Sequence, residues 1–96
     1  MVVGILQVEL VIDGSTSLKD KRRVVTSIKD RLHREHQVSV AETGSLDDHR
    51  KAMIGIAMAS NEVPYCQSVM DRIVDKLRTQ RGCFLNDYTT EIIAPQ

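Results

Sequence analysis

Aromatic residues are scarce in this chain, which has one Phe, two Tyr and no Trp among 96 residues. They are Tyr65, Phe84 and Tyr88, all in the second half of the sequence. Domains that read single-stranded RNA across a β-sheet stack bases on aromatic side chains of the central strands. With so few rings available, we do not expect base stacking across a sheet.

Cysteine is equally sparse, with Cys66 and Cys83 alone and no C-x-x-C spacing. Two cysteines are too few for a disulfide framework or a zinc cluster. The three histidines His33, His36 and His49 lack neighbouring Cys or carboxylate ligands at a zinc-site spacing. We therefore expect no metal and no cofactor. Free thiols are typical of a reducing compartment, so we expect a cytoplasmic protein with Cys66 as a buried, inert thiol.

Long apolar runs are absent. No stretch approaches the ~18 residues that a membrane-spanning helix needs. The apolar start, Met1 to Ile12, is interrupted by Gln7 and Glu9 and lacks the basic leader of a signal peptide. We expect no membrane association.

Catalytic motifs are also missing, including G-x-S-x-G, H-E-x-x-H and the glycine spacing of a dinucleotide site. The turn from Asp13 to Ser17 leads into a predicted helix but lacks the Lys-Ser/Thr ending of a P-loop. We assign no catalytic residue. A small-anion or phosphate-ester enzyme that uses the Ser15-to-Lys19 corner is kept as a weaker alternative.

What the sequence does contain is a regular alternation of apolar residues. Two-residue periodicity predicts strands, and a three-to-four-residue stripe predicts helices. The predicted elements are strands at 2–12, 37–44, 51–60 and 83–93, a helix at 18–34 that Ser17 caps, and a second helix that Asn61 or Val63 caps and that stops at Gly82.

The order βαββαβ is that of the α+β, ferredoxin-like fold, and residues 1–96 are predicted to form a single domain. We expect an antiparallel four-stranded sheet with both helices on one face, because right-handed crossovers place them together. On the first strand, Leu6, Val8, Leu10 and Ile12 are predicted to face the core. The sequence leaves open which face of the third strand packs under the helices.

Positive charge is concentrated in one segment although the whole chain is neutral. Residues 18–36 contain seven cations and three acids, a net charge of +4, and the remainder carries −4. Cations near the start of a helix oppose its dipole, so they add nothing to stability there and suggest a function. The residues that we predict to contact RNA phosphates are Lys19, Lys21, Arg22, Arg23 and Arg34.

The favoured hypothesis is therefore a non-enzymatic accessory protein that binds structured RNA through its first helix. The main alternative uses the sheet face that the helices leave uncovered. Val3, Ile5, Gln7 and Glu9 give that face a mixed apolar character. Such a face suits a homo-oligomer or an adaptor that binds a partner protein.

Several stretches resemble one family. The opening Val2–Leu10, followed by Ser15–Arg23 with its Ser-Leu-Lys-Asp-Lys-Arg-Arg sequence, is similar to the YlxP-like family of small bacterial proteins. Val38–Glu42 and Ala59–Asn61 are similar to the same family's second strand and third-strand exit. The resemblance implies a ferredoxin-like fold and supplies no catalytic residues. It also implies an association with RNA or with a ribosomal subunit, because genes of this family neighbour those of translation and ribosome-maturation factors.

Overall fold

The computed structural model describes residues 1–95. Its elements are β1 (Val2–Ile12), α1 (Leu18–Glu35), β2 (Ser39–Gly44), β3 (Lys51–Ser60), α2 (Val63–Arg78) and β4 (Cys83–Ile93). The predicted order and element types are confirmed. Three details differ: β2 begins at Ser39 instead of Gln37, the cap of α2 is Glu62 instead of Asn61 or Val63, and α2 ends at Arg78 instead of continuing to Gly82. Glu62 has an extended backbone and makes no side-chain cap hydrogen bond, which explains why no capping signal marked it.

The four strands form one antiparallel sheet in the order β2-β3-β1-β4. The long central strands β1 and β3 pair from Val2–Ser60 to Val11–Lys51 without interruption. The short strand β2 and the long strand β4 form the two edges. The chain is therefore an α+β protein of ferredoxin-like topology, as the sequence predicts.

The core lies between one sheet face and the two helices. Leu6, Val8 and Leu10 of β1 are fully buried, and Ile12 is nearly so, which confirms the predicted core face of that strand. On β3, the buried set consists of Ala52, Ile54, Ile56 and Met58. Helix α1 contributes Val25, Ile28 and Leu32, and α2 contributes Cys66, Val69, Met70, Ile73, Val74 and Leu77. Both helices thus cover the same sheet face and leave the other face open.

Neither helix of the described chain is long and apolar enough to cross a bilayer.

Candidate nucleic-acid interface

The outward side of α1 carries most of the cations that the sequence singles out. Lys19, Arg22, Arg23 and Arg34 are exposed there. They form one shallow, continuous surface, called the α1 basic face below, whose residues are Lys19, Arg22, Arg23, Thr26, Ser27, Asp30, Arg31 and Arg34. From Lys19 to Arg34 the helix rises about 22 Å, at ~1.5 Å per residue.

Most of this charge is not neutralised by neighbouring acids. Arg31 is the exception, since its Nε lies 3.1 Å from Oε1 of Glu35 and its Nη1 donates to Gln80 at 3.1 Å. Within residues 1–95, no carboxylate lies within 4.0 Å of the charged groups of Lys19, Arg22, Arg23 or Arg34. The α1 basic face therefore presents net positive charge to solvent, as phosphate binding requires.

Lys21 does not belong to this surface, and the prediction that it contacts RNA phosphates is wrong. Its side chain is 1% exposed. The Nζ atom lies 2.8 Å from Oε2 of Glu42 and donates to the carbonyl oxygens of Ser45 at 2.8 Å and Lys51 at 3.2 Å. An ammonium group with these partners cannot reach a phosphate outside the protein.

The helical spacing explains why Lys21 points inward. Leu18, Val25, Ile28 and Leu32 form the apolar stripe of α1, and position 21 fills the gap in that stripe. Glu42 likewise lies on the helix-facing side of β2, because its partner on β3 is the buried Ile54. The sequence signal for this ion pair was a lysine and a glutamate at two positions that face the core.

This buried pair attaches α1 to the hairpin formed by β2 and β3. Oε2 of Glu42 accepts no hydrogen bond of good geometry within residues 1–95, so its contact with Lys21 is mainly electrostatic. The directional bonds go to the carbonyls of the β2–β3 loop, residues 45–50, and of the first residue of β3. Ser45 in that loop has a positive φ of 56°, which is uncommon for a residue with a side chain.

The corner from Ser15 to Lys19 is occupied by its own side chains. Ser17 caps α1, as predicted, by accepting the Asp20 N–H at 3.2 Å. Both the backbone N–H and the hydroxyl of Thr16 donate to Oδ2 of Asp20 at 3.0 Å. These two hydrogen bonds lower the pKa of the Asp20 carboxyl, and the backbone bond has the larger effect. A carboxylate already holds the donors that an incoming anion would need, which argues against the phosphate-ester alternative.

The thiols and histidines show no reactive arrangement. Cys66 and Cys83 are free and buried, and burial raises the pKa of both thiols. Burial, followed by the nearby Lys76 ammonium, lowers the pKa of His36. Nε2 of His36 lies 2.6 Å from Nζ of Lys76. No group of three or more His, Cys, Asp or Glu residues suited to a metal ion occurs in the part of the chain that the structure describes.

The fold and this surface define a small α+β domain of the ferredoxin-like class with a basic helix on its covered side. Two de novo designed proteins share the fold. Foldit4 superimposes with a TM-score of 0.58 over the whole of both chains at 11% identity. The protein LFR1 1, designed with a ferredoxin fold, gives a TM-score of 0.51 at 18% identity over 97% of this chain and 84% of its own.

Residues 3–90 match the model of the family described as "Protein of unknown function (DUF503)", and the chain belongs to that family. The "Uncharacterized protein YlxP" of Bacillus subtilis (strain 168) is 29% identical over 72 residues, which are 75% of this chain and 78% of that protein. The predicted resemblance to YlxP-like bacterial proteins is thus confirmed.

Proposed function

We propose that this protein is a non-enzymatic accessory protein that binds structured RNA, free or within a ribosomal particle, through the α1 basic face. The observation that carries the proposal is the group of four exposed cations, Lys19, Arg22, Arg23 and Arg34, with no acid partner within 4.0 Å among residues 1–95. Contacts of this kind bind the phosphate backbone and position a protein on RNA without reading its sequence.

The residue types on the surface also support a nucleic-acid partner. Thr26 and Ser27 lie between the cations and add hydroxyl donors for phosphate oxygens. Asp30 is the one acid on the α1 basic face. The lack of aromatic residues on β1 and β3 leaves no stacking platform on the central strands, so the helix is the better candidate for RNA contact.

Charge reversal on this face should weaken RNA binding strongly. For Arg22→Glu combined with Arg23→Glu, we expect the affinity for an RNA hairpin to fall at least about tenfold at low salt. The slope of log affinity against log salt should become shallower by about 2, one unit for each arginine that no longer binds a phosphate. Fluorescence anisotropy across a salt series measures both quantities.

The matched control is Arg50→Glu with Arg78→Glu, which makes the same change in net charge at exposed positions outside α1. At about 0.15 M salt within the series it should bind RNA within about twofold of the wild type, because exposed charges more than ~8 Å from the phosphates are then screened. Equal losses in the two double variants would mean that net charge, and not the α1 basic face, governs binding.

A second candidate function is self-association through the open sheet face. That face holds an apolar hollow of about 370 Å³ between β1, β3 and β2, with Ile5, Ala41, Gly55 and Ala57 in its lining. Phe84, at the start of β4 and 63% exposed, is an apolar projection on the same face, since its partner Val11 is on the outward side of β1.

A second copy of the chain is the occupant that fits this face. The four strands span roughly 600 Å² of flat sheet from their spacing and rise. Stable interfaces bury ~600–1,000 Å² on each partner. The sheet face of each copy therefore reaches the lower end of that range. A hollow and an apolar projection on one face also suit a two-fold contact, in which each copy inserts its projection into the other.

Sedimentation equilibrium tests this second function. The wild type should pass from monomer to dimer as its concentration rises to about 1 mM. Ala57→Arg, which places a charge in the hollow, should stay monomeric, whereas the control Thr79→Arg beside α2 should behave as the wild type. A wild type that remains monomeric over the whole range removes the dimer.

A further inference from the structure

A second concave surface lies at the end of the α1 basic face. It is a cleft of about 580 Å³ between the end of α1, the exit of β3 and the start of α2. Its lining includes His33, Arg34, Asn61, Tyr65 and Arg72. Clefts of ~300–1,000 Å³ are the usual size for a small-molecule site, and a single nucleotide fits within that range.

The cleft has a surplus of positive charge. Its one acid among the described lining residues is Glu35, which Lys76 holds at 2.5 Å and Arg31 at 3.1 Å. Arg34 and Arg72 have no carboxylate within 4.0 Å in residues 1–95, and Arg72 makes only a long bond of 3.3 Å to the Ser68 hydroxyl. Two guanidinium groups without acid partners suit an anion with several oxygens, such as a phosphate.

An aromatic ring lines the same cleft as these guanidinium groups. Tyr65, in the first turn of α2, is 52% exposed and forms part of the cleft lining. Unpaired bases stack on tyrosine rings and on guanidinium planes in single-stranded RNA complexes. The cleft thus combines phosphate donors with a stacking surface, which is the chemistry that recognises a nucleotide.

Arg34 lines both the cleft and the α1 basic face. A chain of phosphates lying along α1 would therefore lead directly into the cleft. We infer that the cleft receives one unpaired nucleotide of the bound RNA, with its phosphate between Arg34 and Arg72 and its base against Tyr65. This inference rests on the proposed RNA-binding function and names the part of the RNA that is recognised, a loop or bulge instead of a continuous duplex.

The first test needs no variant. Isotope-labelled protein is titrated with AMP, with ribose 5-phosphate and with inorganic phosphate, and amide chemical shifts are followed by NMR. AMP should shift the amides of Tyr65, Arg72 and Arg34 at lower concentration than the other two compounds. Equal responses to AMP and ribose 5-phosphate would show an anion site without base stacking and would overturn the inference.

The second test uses an RNA hairpin with an unpaired loop. Tyr65→Ala and Arg72→Gln should each weaken binding by about five- to fiftyfold, because each removes a stacking ring or a phosphate donor. The matched controls are Tyr88→Ala and Arg78→Gln, outside the cleft, where the Arg78 guanidinium carbon lies 5.5 Å from the centre of the Tyr88 ring. Both controls should bind within about twofold of the wild type.

The two sets of variants separate this inference from the proposed function. If Arg22→Glu with Arg23→Glu loses affinity and the cleft variants bind as the wild type does, the α1 basic face stands and the nucleotide cleft is wrong. If the cleft variants lose affinity and the α1 double variant does not, the cleft stands and the α1 surface is wrong. A fully paired duplex that binds as tightly as the looped hairpin would also contradict the cleft.

Discussion

Replacing Lys21 with Ala should lower the free energy of unfolding by about 3 kcal/mol, because it removes one partner of a buried ion pair. The change leaves the Glu42 carboxylate without its counter-ion and the carbonyls of Ser45 and Lys51 without their ammonium donor. The Glu42 side chain is still 19% exposed and can reach water, so the loss should fall at the lower end of the ~3–5 kcal/mol known for such pairs. Urea unfolding followed by circular dichroism measures it.

Variants at both positions separate the charge from the packing. Lys21→Met keeps the aliphatic stem and should cost nearly as much as Ala, because the charge is what Glu42 and the carbonyls require. Adding Glu42→Leu should recover about half of the loss. An apolar pair can replace a buried ion pair without penalty, but the carbonyls of Ser45 and Lys51 still lack their donor. The control Lys19→Ala, on the exposed side of α1, should change stability by less than about 0.5 kcal/mol. If Lys21→Ala changed the free energy of unfolding as little as Lys19→Ala does, the Lys21 ammonium would not be held in the interior.

Replacing Gly4 with Ala should also destabilise the fold, by about 1–3 kcal/mol, because the interior has no room for the added methyl group. Gly4 lies on β1 beneath α2, and a Cβ there would be 2.5 Å from Sγ of Cys66 and 3.4 Å from Cγ of Met58. Cys66 is fully buried, so its sulfur has little space into which to move. Calorimetric unfolding gives the size of the loss.

Removing the sulfur provides the decisive comparison. Cys66→Ala alone should cost about 1 kcal/mol through the small cavity it leaves. The double variant Gly4→Ala with Cys66→Ala should be more stable than Gly4→Ala alone, because the new methyl group occupies the vacated space. The control Gly44→Ala, on edge strand β2, meets no atom closer than 3.4 Å and should be nearly neutral. Additive losses at Gly4 and Cys66 would contradict this packing.

Strong periodicity made the main elements predictable from the sequence. The alternation on β1 identified its buried face, and the apolar stripe of α1 identified its inward side. The face of β3 was not predictable, because the outward set of Met53, Gly55 and Ala57 is small and uncharged and would also permit close packing of a helix. Only the position of the helices decides between them.

The candidate site was predictable only in part, since charge in a sequence does not reveal direction. A lysine next to two arginines is usually solvated, and the place of Lys21 in the apolar stripe of α1 becomes decisive only once the fold brings Glu42 to face it. The cleft was equally hidden, because Arg34, Tyr65 and Arg72 come from two helices that meet only in the folded chain.

The buried pair and the exposed cations belong to one arrangement of α1. Successive residues of an α-helix are about 100° apart around its axis. Anchoring Lys21 inward therefore directs Arg22, Arg23 and Lys19 toward solvent, where all three are exposed. The interior contact thus fixes which cations of α1 are exposed to solvent.

RNA binding through the α1 basic face is tested most directly by mapping the amide shifts of the isotope-labelled wild type by NMR. An RNA hairpin is added stepwise at low salt, and each amide is followed. The largest shifts should occur from Lys19 to Arg34 and around the cleft, while the open face of β1 and β3 is unchanged. Shifts concentrated on Ile5, Gly55 and Ala57 of the open sheet, with α1 unaffected, would contradict binding through the α1 basic face.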